Sequence, residues 1–321
     1  RQMCIRDSYS RFCFKYLAEN DVEAIYAFPW PFDRYVVKWA RNLSKPLVIE
    51  MWEDYACFTS IAMTAQGLPK PAIAREVTRI YRWMREVANG ADRVVVPTRV
   101  FADRLHSLGI TNSKIRVIPV CVEPSAASDP QPIRQKYNLN GEAKSVFYIG
   151  TPSPLHDLHT LIRSIKYLKS KFVFIIAGRK DTTIEEEVEH YSSENVRLIF
   201  PGRLKSGEVE AYLSLADICV APFKFPQPSG FFPAKVIRYM LAGKAIVATR
   251  LPELEEMFMG KAAGILVPQE DPQALAQALD HLADDSAERL RLASIAKEIA
   301  KNHYLTQHHT EQLMKVLQEV L

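Results

Sequence analysis

The sequence predicts an α/β protein of two doubly wound, Rossmann-like parallel-sheet domains, the N-terminal one incomplete. Three observations carry that reading. At 321 residues the chain exceeds what one core usually organises. Its β-rich runs are apolar throughout rather than alternating, as parallel strands covered on both faces require. Helical stretches separate those runs, in the rhythm of an open parallel sheet.

The opening residues, "RQMCIRDS", have no usable periodicity and resemble the translated remnant of a sequencing adapter. Arg1–Ser8 are therefore set aside as a non-native scar, and the natural start is expected to be missing. Residues 9–123 form the first domain. Its strands are "VEAIYAF" (22–28), "PLVIEMW" (46–52), "DRVVVPT" (92–98) and "KIRVIP" (114–119), with helices near 33–42, 72–88 and 98–108. No strand with a glycine-rich loop opens it. "PSAASDPQPIRQ" (124–135) reads as a linker, extending to residue 143.

The second domain, 144–303, carries six strands: "SVFYIG" (145–150), "FVFIIAG" (172–178), "VRLIF" (196–200), "DICVAPF" (217–223), "KAIVAT" (244–249) and "AGILVP" (263–268). Asp157–Lys169, Ser206–Leu215 and Pro233–Ala242 are among the helices between them. Helices near 286–302 and 307–321 close the chain.

Apolar residues make up 48% and charged residues 24%, ordinary for a globular protein, and a net charge of +4 is too small to argue for nucleic acid. It suits an anionic small molecule or an acidic membrane surface. Five scattered cysteines without CxxC point to a reducing, cytoplasmic setting and away from a zinc site. No apolar run approaches the roughly 20 residues that span a bilayer.

The sequence has no GxGxxG, GxxxxGK[ST], GxSxG, HExxH or DxD, so dinucleotide, P-loop, hydrolase and metal-carboxylate readings lack their fingerprints. His156/His159 and His308/His309 have no partners at ligand spacing and read as solvated helix-end histidines.

Ligands of open α/β sheets bind outside the carboxyl ends of the strands. In the second domain those ends carry Thr151 in "GTPSP", Arg179 and Lys180, Arg203 and Lys205, Lys224, and Arg250, with Asp181 the one acid in the immediate loops. An anionic ligand at this rim is favoured over loops that are merely polar. "FPAKVIRYMLAGKAIVATRLPE" (232–253) sharpens it. Pro233 suits a helix start. Val236, Ile237, Met240 and Leu241 form the buried stripe, and Lys235 and Arg238, three apart, share another face. Against the helix dipole each cation costs about 0.3–1 kcal/mol when the site is empty; a bound diphosphate reverses that sign.

These motifs carry a resemblance. "FPAKVIRYMLAGKAIVATRLPELEEMF", "YIGTPSPLHDLHTLIRSIKYL" (148–168), "GRLKSGEVEAYLSLADICVAPF" (202–223) and "GADRVVVPTRVFADRLHSLGITNSKIRVIPVCVEPS" (90–125) resemble, in order and spacing, the group-1 glycosyl transferases, retaining enzymes of the GT-B fold. The resemblance implies two Rossmann-like domains facing a cleft, with a nucleoside-diphosphate sugar held by the second and a hydroxyl acceptor (glycan, lipid-linked or small molecule) by the first. It implies a last helix, 304–321, that crosses back to the first domain. It also implies no metal and no cofactor, since cations and a helix start take the leaving diphosphate. Ser229, Gly230 and Phe231 fall on the donor loop.

The departures are specific. Gly230 and Arg238 stand where the family places two glutamates, the second of which accepts from ribose hydroxyls; a guanidinium has only donors. Thr151 and His156 replace the diphosphate-gripping Arg and Lys. Lys235 matches a lysine of a family branch and takes over the phosphate role. A catalytically degenerate GT-B protein that binds an anionic ligand or partner, and another GT-B activity such as epimerisation, remain the rival readings.

In the first domain, Glu50, Glu53 and Asp54 of "IEMWEDYA" (49–56) either orient or deprotonate an acceptor hydroxyl or are solvated loop carboxylates. The helix "AREVTRIYRWMREVA" (74–88) places Arg75, Arg79 and Arg82 on one side. Packing against its own sheet is favoured over peripheral contact with the inner face of a membrane.

Overall fold

The computed structural model describes residues 13–321, apart from residues 140, 152, 180, 181, 192, 206 and 225–229 and the side chain of Glu185. The proposed scar, Lys180, Asp181 and Ser229 lie outside the described residues. The chain divides into two compact units. One comprises the described residues to Val120, residues 230–232 and Gln307–Leu321; the other comprises Cys121 to residue 224 and Pro233–Thr306.

The first unit is built from β1 (Ile25–Ala27), α1 (Tyr35–Leu43), β2 (Leu47–Glu50), α2 (Tyr55–Ala65), α3 (Lys70–Gly90), β3 (Arg93–Val96), α4 (Arg99–Ser107) and β4 (Ile115–Val117). Its four strands are parallel and ordered β1-β2-β3-β4, with Val48 opposite Arg93 and Val94 opposite Ile115. One face packs on Trp83, Met84 and Val87 of α3 and Phe101 and Leu105 of α4. So α3 is a core helix: Arg79 pairs with Glu76 at 2.6 Å and lies 4.6 Å above the Phe32 ring.

The second unit contains α5 (Gln131–Lys136), β5 (Lys144–Ile149), α6 (Leu158–Ser164), β6 (Phe172–Ala177), α7 (Thr182–Tyr191), β7 (Val196–Gly202), α8 (Glu208–Leu215), β8 (Ile218–Ala221), α9 (Ala234–Leu241), β9 (Ala245–Thr249), α10 (Pro252–Met257), β10 (Ile265–Val267), α11 (Pro272–Asp284) and α12 (Ser286–His303). Its parallel sheet runs β10-β9-β8-β5-β6-β7. The order reverses at β5, and β5 and β8 lie side by side there, with Val146 opposite Ile218. In such sheets the carboxyl ends at that switch are where a ligand sits.

One feature differs from the sequence reading. The 124–143 stretch, expected as linker, carries α5, whose Ile133 is buried in the second unit and anchors the helix there. Pro132 sits in the first turn of α5, where its missing N–H has no helical partner to lose. The last helix, α13 (Thr306–Gln318), belongs mainly to the first unit. Its Val316 joins Val48, Val95 and Ile118 on the sheet face that α3 and α4 leave uncovered.

Candidate functional site

The carboxyl rim of the second sheet is organised around α9. Pro233 is its N-cap rather than its first residue, and the first turn holds no acid. The buried face is Val236, Ile237, Tyr239 and Met240; Tyr239 takes the place expected of Leu241. The Tyr239 hydroxyl accepts from Ile149 N–H at 3.2 Å, which fixes α9 against the end of β5.

That docking turns Lys235 inward. Its Nζ lies 4.6 Å from the Tyr148 ring centroid, 5.4 Å from that of Phe223 and 3.5 Å from the Tyr148 hydroxyl. Among the described residues no carboxylate pairs with it. A cation held by two rings is attracted to their faces, but the rings replace little of its hydration. Burial accordingly lowers the Lys235 pKa to about 7. The loop after β5 is closed against Tyr148 and Lys235: a Cβ on Gly150 would clash with the Tyr148 hydroxyl and lie 2.7 Å from the Lys235 Nζ, so a side chain there would displace both.

His156 completes the rim. Its Nδ1–H donates to the Thr151 carbonyl at 2.7 Å, and its ring lies 5.8 Å from Phe223. Burial first, and the Lys235 charge second, lower its pKa to about 4. The reading of His156 as a solvated helix-end residue is thereby corrected: it is a neutral hydrogen-bonded wall. Thr151 is exposed beside it.

The other expected donor residues are dispersed. Arg179 and Arg203 are exposed on their loops. Lys224 pairs with Glu270, and Arg250 pairs with Glu255 at 3.0 Å, so carboxylates from outside the immediate loops neutralise part of the predicted basic edge. Arg238 does not share a face with Lys235. It is exposed, 3.7 Å from Glu210, and lines a separate cavity of about 650 Å³ with Ser214 and Lys297. Gly230 and Phe231 fall in the first unit. Gly230 has φ +61°, and a Cβ there would sit 3.2 Å from Asp54 Cβ. A glutamate at this position would be strained by the left-handed backbone and crowded by Asp54. The Phe231 ring lies 5.9 Å from Phe58.

At the carboxyl end of β2 the three acids take different parts. Glu50 is buried and accepts from the Tyr26 hydroxyl, from Trp52 Nε1 at 2.6 Å and from His309 Nε2 at 3.4 Å. His309 is thus a clamp between α13 and the sheet, not a solvated end. Its hydrogen bond to Glu50 raises its pKa. Asp54 is fully buried, and its assignment as an acceptor base is corrected by its partners. It caps α2 by accepting from Ala56 and Cys57 N–H at 3.0 Å each; it also accepts from the Tyr81 hydroxyl at 3.1 Å and pairs with Arg104 at 3.3 Å. Burial nevertheless pushes its pKa up. Glu53 is half-buried, has no partner among the described residues, and has a pKa raised by burial and by the Asp54 charge.

Sequence reasoning missed Tyr148, Phe223 and Glu210. Tyr148 meets Lys235 across 87 residues of chain, and Phe223 and Glu210 reach their partners from other elements. Local spacing carries no signal of such meetings.

Two parallel-sheet α/β units, of four and six strands, define the GT-B class of protein. The family models agree: Glycosyl transferases group 1 matches residues 143–285, and Glycosyl transferase 4-like domain matches residues 8–121. The chain belongs to the group 1 glycosyl transferases. Among its relatives is a protein of Escherichia coli assigned as the colanic acid biosynthesis glycosyltransferase WcaL, 24% identical over 76% of this chain and 61% of that one. Another is the D-inositol 3-phosphate glycosyltransferase of Xylanimonas cellulosilytica, 22% identical over 67% of this chain and 54% of the other. The chain thus spans between half and two thirds of the length of these relatives. Among solved structures, HepE of Anabaena in complex with UDP and glucose has a TM-score of 0.75 at 18% identity, covering 97% of this chain and 81% of that one. Sucrose-phosphate synthase of Thermosynechococcus elongatus has a TM-score of 0.76, also at 18% identity, over 97% and 77%. These likenesses show the shared GT-B fold. Among the described residues no helix is long and apolar enough to cross a membrane.

Proposed function

We propose that the protein transfers a glycosyl group, with retention and without a metal, from a nucleoside-diphosphate sugar to a hydroxyl acceptor in polysaccharide biosynthesis at the cytoplasmic side of the cell. One observation carries the reading: a half-buried ammonium, that of Lys235, stands with no carboxylate among the described residues at the start of α9 and at the sheet's switch point. A diphosphate supplies the missing charge and also accepts from the free N–H groups of the helix start. As the sugar's anomeric C–O bond breaks, negative charge builds on the departing diphosphate, and a pre-placed cation stabilises that charge most. The exposed Thr151 hydroxyl offers the diphosphate oxygens a further donor. Glu53, with its raised pKa, suits the proton of the acceptor hydroxyl. Names of relatives support the sugar chemistry: colanic acid biosynthesis for one, and UDP with glucose bound to a structural neighbour for another.

Calorimetric titration with UDP, GDP and ADP tests this. At least one should bind, and Lys235→Ala should weaken it; no binding by any of the three overturns the proposal. Arg238 and Gly230 favour a second reading, an anion-binding GT-B protein without catalysis, because neither supplies the acceptor that ribose hydroxyls need. Arg238→Glu separates the two: tighter nucleotide binding supports the enzyme, weaker binding the anion binder.

A further inference from the structure

Three large aromatic side chains of the first unit remain uncovered although that unit buries Trp83 and Phe101 completely. Phe28 is 45% exposed, Trp30 70% and Trp52 51%. All three follow the carboxyl ends of adjacent strands, Phe28 and Trp30 after β1 and Trp52 after β2, on the edge where ligands of open sheets bind. Exposed apolar groups gathered in one place mark an interaction site.

Two of these rings, Phe28 and Trp52, are fixed side by side, and Trp30 lies two residues beyond Phe28 in the same loop. Trp52 Nε1 donates to buried Glu50 at 2.6 Å, which fixes the plane of the indole. The Phe28 ring meets Trp52 edge-to-face with centroids 5.1 Å apart, and the Tyr26 ring meets Phe28 the same way at 5.1 Å. The Tyr26 hydroxyl donates to the same Glu50. One buried carboxylate therefore holds both ends of a three-ring chain whose outer faces are open. Such pre-organisation removes the ordering cost a ligand would otherwise meet.

We infer that Phe28, Trp30 and Trp52 form a platform for a pyranose ring, so that the acceptor of the proposed transfer is a carbohydrate. The word acceptor rests on the transferase reading above; the platform itself does not. A pyranose offers an apolar C–H face to an aromatic ring and a rim of hydroxyl donors. Glu53, the residue after Trp52, provides a carboxylate with no other partner among the described residues to receive such a donor. A lipid chain brings no donor for it, and an anionic bilayer surface repels it.

Saturation-transfer NMR on the full chain, without nucleotide, tests the platform with methyl β-glucopyranoside, methyl α-mannopyranoside, methyl β-galactopyranoside and N-acetylglucosamine. At least one should show transfer concentrated on the C–H protons of one ring face. Trp30→Ala and Phe28→Ala should each reduce that transfer at least fivefold. Circular dichroism and the melting temperature check that both variants fold, and Trp30, the most exposed ring, keeps the test open if Phe28→Ala does not. Lys235→Ala should leave it unchanged, so a chain that fails to bind nucleotide can still confirm the platform. Absence of transfer from all four sugars, transfer indifferent to both ring variants, or ring-dependent adhesion to phosphatidylglycerol vesicles would overturn the inference.

Discussion

The carboxyl rims of the two sheets handle charge in opposite ways. In the first unit, Glu50 and Asp54 each collect at least three partners, and their roles are to lock a helix, a cap and a pair of aromatic rings. In the second, the Lys235 ammonium is placed among rings with no anion beside it among the described residues. A buried charge that is fully satisfied is part of the scaffold; one that is not is costly in the empty protein, and that cost is recovered when a ligand supplies the counter-charge. The contrast shifts the search for chemistry in the first unit from Asp54 to Glu53, which has no partner among the described residues.

The largest effect expected from breaking this contrast is on the satisfied side. Asp54→Ala removes a cap and leaves Arg104 and Tyr81 without their carboxylate, and should cost about 3–5 kcal/mol of unfolding free energy. Urea denaturation reads it, and an unchanged midpoint would restore Asp54 as a free base. Next comes the unsatisfied side. Lys235→Ala should weaken UDP binding about 10- to 150-fold, the worth of one charged hydrogen bond at about 1.5–3 kcal/mol, without lowering the melting temperature.

The same ammonium gives a pH signature. Its pKa is about 7 in the folded chain against 10.5 ordinarily, so between those values the unfolded chain binds more protons. Stability therefore carries the full penalty of the buried charge below pH 7 and rises as pH climbs from 7 towards 10.5. Nucleotide affinity should run the other way, falling as pH rises above 7 in the wild type and staying level in Lys235→Arg; equal slopes in the two proteins would remove Lys235 from the anion site.

Smaller still, Gly230→Ala should cost about 1 kcal/mol or somewhat more, from its positive φ and the crowding at Asp54, by thermal denaturation. Smallest is the stability change of Arg238→Glu. Its exposed pair with Glu210 is worth less than about 1 kcal/mol, and a larger loss would show that the 3.7 Å separation understates that pair.

Every strand of both sheets was legible in the sequence to within about three residues, because doubly covered parallel strands leave unbroken apolar runs. The helix α2 was not. "YACFTSIAMTA" mixes residues without a helical stripe and buries only Ala56, so its existence depends on the Asp54 cap and on α3 beside it. The same local ambiguity made Asp54 look like a loop carboxylate. Lys235 was legible because a cation at a helix start violates a local rule, and such violations concentrate at sites. Its cradle was not, since Tyr148, Gly150 and Phe223 come from two other strands and their ends. Arg238 misled for a related reason: helical spacing gives the angle between two side chains, while Glu210 on α8 decides where the guanidinium turns.

The position of α13 has a practical consequence for anyone cutting this chain into pieces. The family matches end at residue 285, and a fragment trimmed there would lack Val316 and its neighbours Leu313 and Leu317. Val48, Val95 and Ile118 would then meet water, and Glu50 would lose its histidine. Sticky, poorly expressed material from such a fragment would be a fault of the scissors, and supplying residues 306–321 in trans as a peptide should restore its solubility.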